Sequence, residues 1–242
     1  MTIKLLCESS SDSSISEEES QVVTYVDGEI TEVNPLSPSL YDLEKARDNS
    51  SDFSDHDDFD NCCELYPVDP RQVLTRAAID AANIPLLLAE IPKIQSAGTL
   101  ALLPGQRQQP DTWFGADGAS FTLHKGVVVA TRGLPFDLMF ADSVPTIEAL
   151  EKGGGRYDRT YKYLTGDNRD QIVTYKCRLQ FQSVETVTIF EIRIETKRFS
   201  ETCFNPDQSF TNIYWVDHAQ VVHKSQQFLN FSLGYALTEK LL

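Results

Sequence analysis

Regular alternation of apolar and polar residues runs through the second half of this chain. Tyr157, Tyr161 and Tyr163 fall on one face of an extended segment that closes at Gly166-Asp167-Asn168. Val173, Tyr175, Cys177, Leu179 and Phe181 share one face of the next. A period of two marks strands with one buried face. In the following run the apolar set moves from Val187 and Ile189 to Phe190, Ile192 and Ile194, a slip of one residue that predicts a β-bulge near Ile189–Phe190. Cys203 follows where that strand is expected to have ended. Phe210 to Gln227 is the stretch around which the rest is organised. Its first residues, FTNIYWV, are almost all aromatic, β-branched or Asn, side chains that suit a pleated, half-buried surface. His218, Ala219 and Gln220 interrupt the run and Val221 to Phe228 resumes it, which predicts a hairpin carrying Tyr214, Trp215 and Phe228.

Weaker patterns fill the middle. PRQVLTRAAIDAAN places Val73, Leu74, Ala77, Ala78 and Ala81 on one side of a helix with Pro70 in its first turn. PLLLAEI (85–91) and TLALL (99–103) are short apolar runs, and 111–133 holds three more, punctuated by Asp117-Gly118 and Lys125-Gly126. Asp137 to Leu150 reads as a helix on the DLMF side that Pro145 breaks and TIEAL restarts. Gly153-Gly154-Gly155 reads as a flexible joint, because a phosphate loop needs wider Gly spacing and a following Lys-Ser/Thr. SLGYALTEKLL closes the chain as a short helix offering Leu237, Leu241 and Leu242 for burial. The fold class is therefore mainly β: an antiparallel meander of about nine strands, as a twisted sheet or half-open barrel, with a few short helices.

Charge divides the chain in two. Residues 1–70 hold 18 of its 36 acids and three of its 21 bases, a net of −15, whereas the other 18 acids and 18 bases cancel. Residues 1–66 form an acidic, Ser-rich tail whose like charge and low hydrophobicity predict disorder over most of its length. QVVTYVDGEITEV (21–33) is the exception, two short runs around Asp27-Gly28. DHDDFD is not a calcium loop, because no register places Gly at the sixth position with acids at one, three and five. The body, 67–242, has no cluster of cations, which argues against a nucleic-acid partner. No apolar run is long enough to span a bilayer. The start, MTIKLLCESSSD, lacks both a signal-peptide apolar region and the small residue that precedes a lipidated cysteine.

Chemistry is sparse. His56, His124, His218 and His223 stand in no zinc-ligand spacing and read as surface imidazoles, and no nucleophile elbow is present. Catalytic residues, metal ligands and cofactors are all expected to be absent. Cys7, Cys62 and Cys63 lie in the tail; Cys177 and Cys203 lie in the body, either as buried free thiols or as a bridge contributing roughly 3–4 kcal/mol. Trp113, Phe121, Tyr157, Tyr161, Tyr163, Tyr175, Tyr214, Trp215 and Phe228 are mostly expected in the core, with a partly exposed ring available to stack on a sugar or anchor a partner.

Several ordered motifs also resemble a known family. TWFGADGASFTLHKGVVVATRGLPFDLM resembles a stretch of the YjbF/GfcB bacterial lipoproteins that runs from a Trp through a hairpin to T-x-G-L. YKYLTGDNRDQIVTYKCRL resembles the strand pair bearing the first cysteine of that family. The segment from Glu201 resembles its C-terminal signature: Glu, Cys, F-x-N-x-Y-W, S-x-Q and L-G-Y. Gln226 and Phe228 stand where the family usually has Arg and Trp. The resemblance implies a mainly β outer-membrane or periplasmic lipoprotein, without known catalysis, that serves exopolysaccharide or group 4 capsule secretion. It favours a Cys177–Cys203 disulfide. It implies polysaccharide-export proteins or glycan as partners, and a membrane only through a lipid anchor that this sequence does not display. Arg132, Asn212, Tyr214, Trp215, Ser225 and Gln227 are the candidate binding surface. The alternatives are a polysaccharide-modifying enzyme and an intracellular protein, cytoplasmic as the start reads, whose acidic tail binds a basic partner or takes phosphate at Ser14 and Ser54.

Overall fold

A computed structural model describes residues 70–102, 110–164 and 169–241 in full and, nearer the N-terminus, the backbone of four strands. The chain divides into two compact units, Thr2–Val68 and Asp69–Leu242. In the smaller unit β1 (Ile3–Leu6), β2 (Gln21–Val26), β3 (Glu29–Val33) and β4 (Glu64–Pro67) make an antiparallel sheet in the order β3-β2-β1-β4. β2 and β3 are the two runs expected around Asp27-Gly28. The acidic stretches at 8–20 and 50–60, with DHDDFD, Ser14 and Ser54, lie outside the described residues, as does the turn expected at 166–168.

The larger unit begins with α1 (Pro70–Val73) and α2 (Arg76–Ala82), followed by β5 (Leu86–Ile91), β6 (Ser96–Leu102), β7 (Asp111–Gly115), β8 (Ser120–His124), β9 (Val127–Arg132) and β10 (Leu138–Ala141). Next come α3 (Val144–Lys152), β11 (Gly154–Leu164), β12 (Asp170–Ile189), β13 (Ile192–Phe204), β14 (Ser209–Val216), β15 (Val222–Asn230) and β16 (Gly234–Lys240). All twelve strands join one sheet in the order β10-β11-β12-β13-β14-β15-β16-β5-β6-β7-β8-β9. The meander is interrupted once, where β16 pairs back onto β5 and curls the sheet into a nearly closed barrel. At the seam, side chains replace the ladder. Leu138 N donates to Thr131 Oγ1 (2.9 Å), Arg132 Nη1 donates to Leu138 O (3.2 Å), and Thr131 Oγ1 donates to Asp137 Oδ1 (3.0 Å).

Several elements differ from the sequence reading, each for an identifiable reason. The expected helix over PRQVLTRAAIDAAN is two, because Thr75 is extended and caps the second by accepting from Ala78 N (3.2 Å). Ile79 is the residue that helix buries, while Ala77, Ala78 and Ala81 are exposed. DLMF is strand β10, and Pro145 opens α3 instead of breaking a helix, since a proline in the first turn loses no hydrogen bond. Gly153 is the left-handed cap of α3 and Gly154 starts β11, so this triplet is an ordered corner. The slip at Ile189–Phe190 is a two-residue hairpin turn, with φ of 41° at Phe190 and 73° at Glu191. Ile189 faces Ile192 and Val187 faces Ile194, so the change from odd to even positions is what such a hairpin produces. The register shift lies earlier, at Phe181/Ser183. Cys203 is within β13, directly opposite Cys177. The C-terminal run is strand β16, because pairing on both sides, with β15 and β5, outweighs its helix propensity.

Beyond the register shift the long β12–β13 arm packs Ile189 with Ile79, Leu88 and Leu241. Trp215 clasps it: its indole N–H donates to Glu185 Oε2 (2.9 Å), with Arg198 and Lys224 each 5.7 Å from the ring. Inside the barrel there are two apolar layers. One holds Tyr161, Tyr175, Phe210, Phe228 and Leu229, with Phe210 stacked on Phe228 at 4.3 Å between ring centroids. The other gathers Leu179, Phe199, Tyr214 and Val216 against Ile147 and Leu150 of α3.

Cys177 and Cys203 are joined in a disulfide. Replacing both by Ser is expected to lower the urea midpoint by the equivalent of roughly 3–4 kcal/mol, the loop-closure contribution for this sequence separation. An unchanged midpoint would count against it.

Candidate functional site

Between the two apolar layers lies a belt of buried polar side chains. At its centre the carboxylate of Glu201, 0% exposed, accepts five hydrogen bonds. Oε1 takes Thr146 Oγ1 (2.8 Å) and the Tyr157 hydroxyl (2.6 Å). Oε2 takes Arg159 Nη1 (2.8 Å), Asn212 Nδ2 (2.6 Å) and the Tyr214 hydroxyl (3.0 Å). Arg159 is 1% exposed and donates through Nε to Asp142 O (2.9 Å). Burial alone would push the Glu201 carboxyl up; the Arg159 guanidinium and the surrounding donors outweigh it and hold Glu201 below the ordinary carboxylate range. Burial pushes the hydroxyls of Tyr157, Tyr161 and Tyr214 above the ordinary tyrosine range. Cys177, Cys203 and Glu201 lie together, but the sulfurs are bonded to each other and are not the thiolates that bind metals, and the carboxylate already accepts five hydrogen bonds.

The belt continues to one end of the barrel. Gln227 Oε1 accepts from Val128 N, and its Nε2 donates to Gly126 O and Ser225 Oγ, each at 2.8 Å. Ser225 in turn shares a hydrogen bond with Thr238 (2.6 Å). These bonds dock the Lys125-Gly126 turn on β15. The approach is so close that a Cβ on Gly126, at φ +84°, would sit 2.5 Å from Val222 Cβ.

At that end β8, β14 and β16 finish and β5, β7 and β15 begin, and a cleft of about 220 Å³ opens among them. Trp113, Leu123 and Leu87 give it apolar walls; Lys125, His223, Thr238 and Lys240 bring polar groups to it. His223 Nε2 lies 2.9 Å from Asp217 Oδ2, and Lys125 Nζ 2.9 Å from Glu151 Oε1 of α3. Lys240 pairs with no acid among the described residues. His124 is also half-buried, with Nδ1 3.0 Å from Ser143 Oγ, so His124 and His223 are held in place where surface imidazoles were expected.

The family model described as group 4 capsule polysaccharide lipoprotein gfcB, YjbF matches residues 53–241. The chain belongs to this family. A crystal structure of the hypothetical lipoprotein YmcC from Escherichia coli (K12) superposes with a TM-score of 0.61 at 21% identity, over 70% of this chain and 89% of that one, and so shares its fold. No curated protein is similar enough to count as a match.

Seen on the YjbF/GfcB fold, most of the residues that carried the sequence resemblance point inward. Glu201, Cys203, Phe210, Asn212, Tyr214, Ser225 and Gln227 are all buried. Asn212 joins two strands, donating to Glu201 and accepting from Phe228 N (2.7 Å). Of the six candidate binding residues, Asn212, Tyr214, Ser225 and Gln227 thus belong to the belt, Trp215 clasps the arm on the outer face, and exposed Arg132 spans the seam. The six do not share one exposed face. Sequence reasoning passed over Arg159, Glu201's partner, and the cleft residues Lys125 and Lys240. Arg159 had a signal, since it shares odd parity with Tyr157 and Tyr161.

Two outcomes follow from the belt. Glu201→Gln leaves the Arg159 charge buried without its counter-ion and is expected to cost about 3–5 kcal/mol in urea unfolding; a loss under 1 kcal/mol would show that the pair is not needed. Because the folded carboxyl is depressed, its contribution is fully present above the unfolded value of about 4.3 and is lost as pH falls through the folded value. The raised tyrosines act at the other end, where the unfolded chain ionises above about pH 10 and the folded one resists. The thermal midpoint is expected to fall on both sides of this plateau, and Glu201→Gln to flatten the acid side.

Proposed function

We propose that this chain is a non-catalytic accessory component of exopolysaccharide or capsule secretion, seated in the cell envelope, and that it holds glycan at the open end of the barrel. The observation that carries the reading is the coincidence of a capsule-lipoprotein family match over 53–241 with a cleft that has an aromatic and aliphatic wall and converging polar groups. Sugars present alternating C–H faces and hydroxyls, and such a lining suits both. The Cys177–Cys203 disulfide supports an oxidising compartment outside the cytoplasm. No described helix is long and apolar enough to cross a membrane. Attachment through a lipid anchor is the mode that the family's description as a lipoprotein suggests. The best-defined carboxylate, Glu201, is sealed from solvent and salt-bridged at 2.8 Å, an environment that suits holding charge and not passing protons to a substrate.

The test is gel-permeation chromatography of the purified chain with the exopolysaccharide of its own host. The expected result is co-elution with polymer of unchanged length. Shortened or newly modified polymer would make the chain an enzyme, and separate elution would remove the glycan-holding role.

A further inference from the structure

We infer that the barrel-end cleft recognises a single anionic sugar residue, a terminal or branch hexuronate, whose carboxylate is drawn to Lys240 while its ring lies toward Trp113. This rests on the glycan-holding reading and adds to it the class and size of the ligand.

Size is the first argument. At about 220 Å³ the cleft is smaller than the roughly 300–1,000 Å³ of pockets for drug-sized molecules. It suits one pyranose and not a chain threading through. The cleft is bounded by the Lys125-Gly126 turn, the Gln220-Val221 connection and the end of β16.

Charge is the second. The larger unit is balanced overall, with 18 acids and 18 bases after residue 70, yet two ammonium groups line this one cleft. Lys240 has no acid partner among the described residues. Lys125 is paired with Glu151 and has other contacts of its own, so it lines the cleft as a cation already partnered. The acids nearby are Asp111, which lines the cleft and has contacts of its own, and Asp217, held by His223 and by the amides of Ala219 and Val221. An incoming carboxylate thus meets Lys240, whose charge no described acid answers, beside the largely apolar wall at Trp113, where charge-assisted bonds gain strength.

Rigidity is the third. The wall carrying these groups is fixed from beneath by the Gln227, Ser225 and Thr238 bonds, and Gly126 is the residue that lets the turn sit against Val222. The S-x-Q pair positions the cleft without touching what enters it.

The experiment is isothermal titration of the full chain with trigalacturonic acid, its fully methyl-esterified neutral form, and sodium acetate. Trp113 is read separately by fluorescence in a Trp215→Phe background, since the chain has two tryptophans. The acid is expected to bind about 10- to 100-fold more tightly than the ester. The variant Lys240→Gln should abolish that difference with an unchanged thermal midpoint, and the acid should perturb Trp113 emission. Equal binding of acid and ester would overturn the anionic specificity and leave the glycan reading standing. Binding of neither saccharide would overturn both. Acetate as effective as the saccharide would reduce the cleft to a simple anion site and overturn the inference.

Discussion

One buried ion pair sets the interior of this barrel. Glu201 and Arg159 have given up nearly all contact with water, a loss that their mutual attraction offsets only if every remaining lone pair and proton is matched. Here the matching groups come from β11, α3 and β14. The constraint therefore reaches well beyond two residues. A one-residue slip of β13 would turn Glu201 to solvent, place Thr202 or Ser200 inside, and leave Arg159 buried and unpaired. An apolar core would tolerate such a slip far better. The disulfide pins the same strand β13 to β12, fixing Cys177 opposite Cys203 two residues from Glu201.

From that fixed centre the polar belt reaches the barrel end. Asn212 ties β13 to β15; Gln227 ties β15 to β9 and to the turn before it; Ser225 ties β15 to β16. The family's S-x-Q and F-x-N-x-Y elements read as the frame on which the cleft is mounted. Polar residues inside a barrel are usually costly unless satisfied. Satisfied, they aim loops that packing alone would leave loose, and the Lys125-Gly126 turn is aimed this way.

The sequence reading recovered the sheet because alternation is a local property that pairing preserves. It failed where one pattern has two structural causes. A change of parity marks either a bulge or a two-residue hairpin, and Phe190-Glu191 lacks the Asn-Gly that would have announced the turn. Thr75 and Pro145 were read as helix interior and helix break when both are start signals. The candidate residues are a different case. Asn212, Ser225 and Gln227 were named as part of a binding surface on the strength of the resemblance, although Asn212 shares parity with Phe210 and Tyr214 and had to point inward with them. The cleft was hidden because Trp113 and Lys125 meet His223 and Lys240 through long-range contacts, the pairing of β16 with β5 and the docking of the Lys125-Gly126 turn on β15, which no local pattern announces.

Trp215 shows how the same physics sorts structural from binding residues. As an aromatic flanked by polar neighbours it has the composition of an anchor. Its indole N–H, however, is taken by Glu185, and Arg198 and Lys224 lie over its ring. A sugar stacking there would have to displace two cations and part the arm from the barrel wall. Trp113 is in the opposite situation: only 6% exposed, it spends that exposure on the cleft. Partnered donors and covered faces thus separate a clasp from an open cleft, and by that criterion the proposed recognition belongs at the open end and not at Trp215.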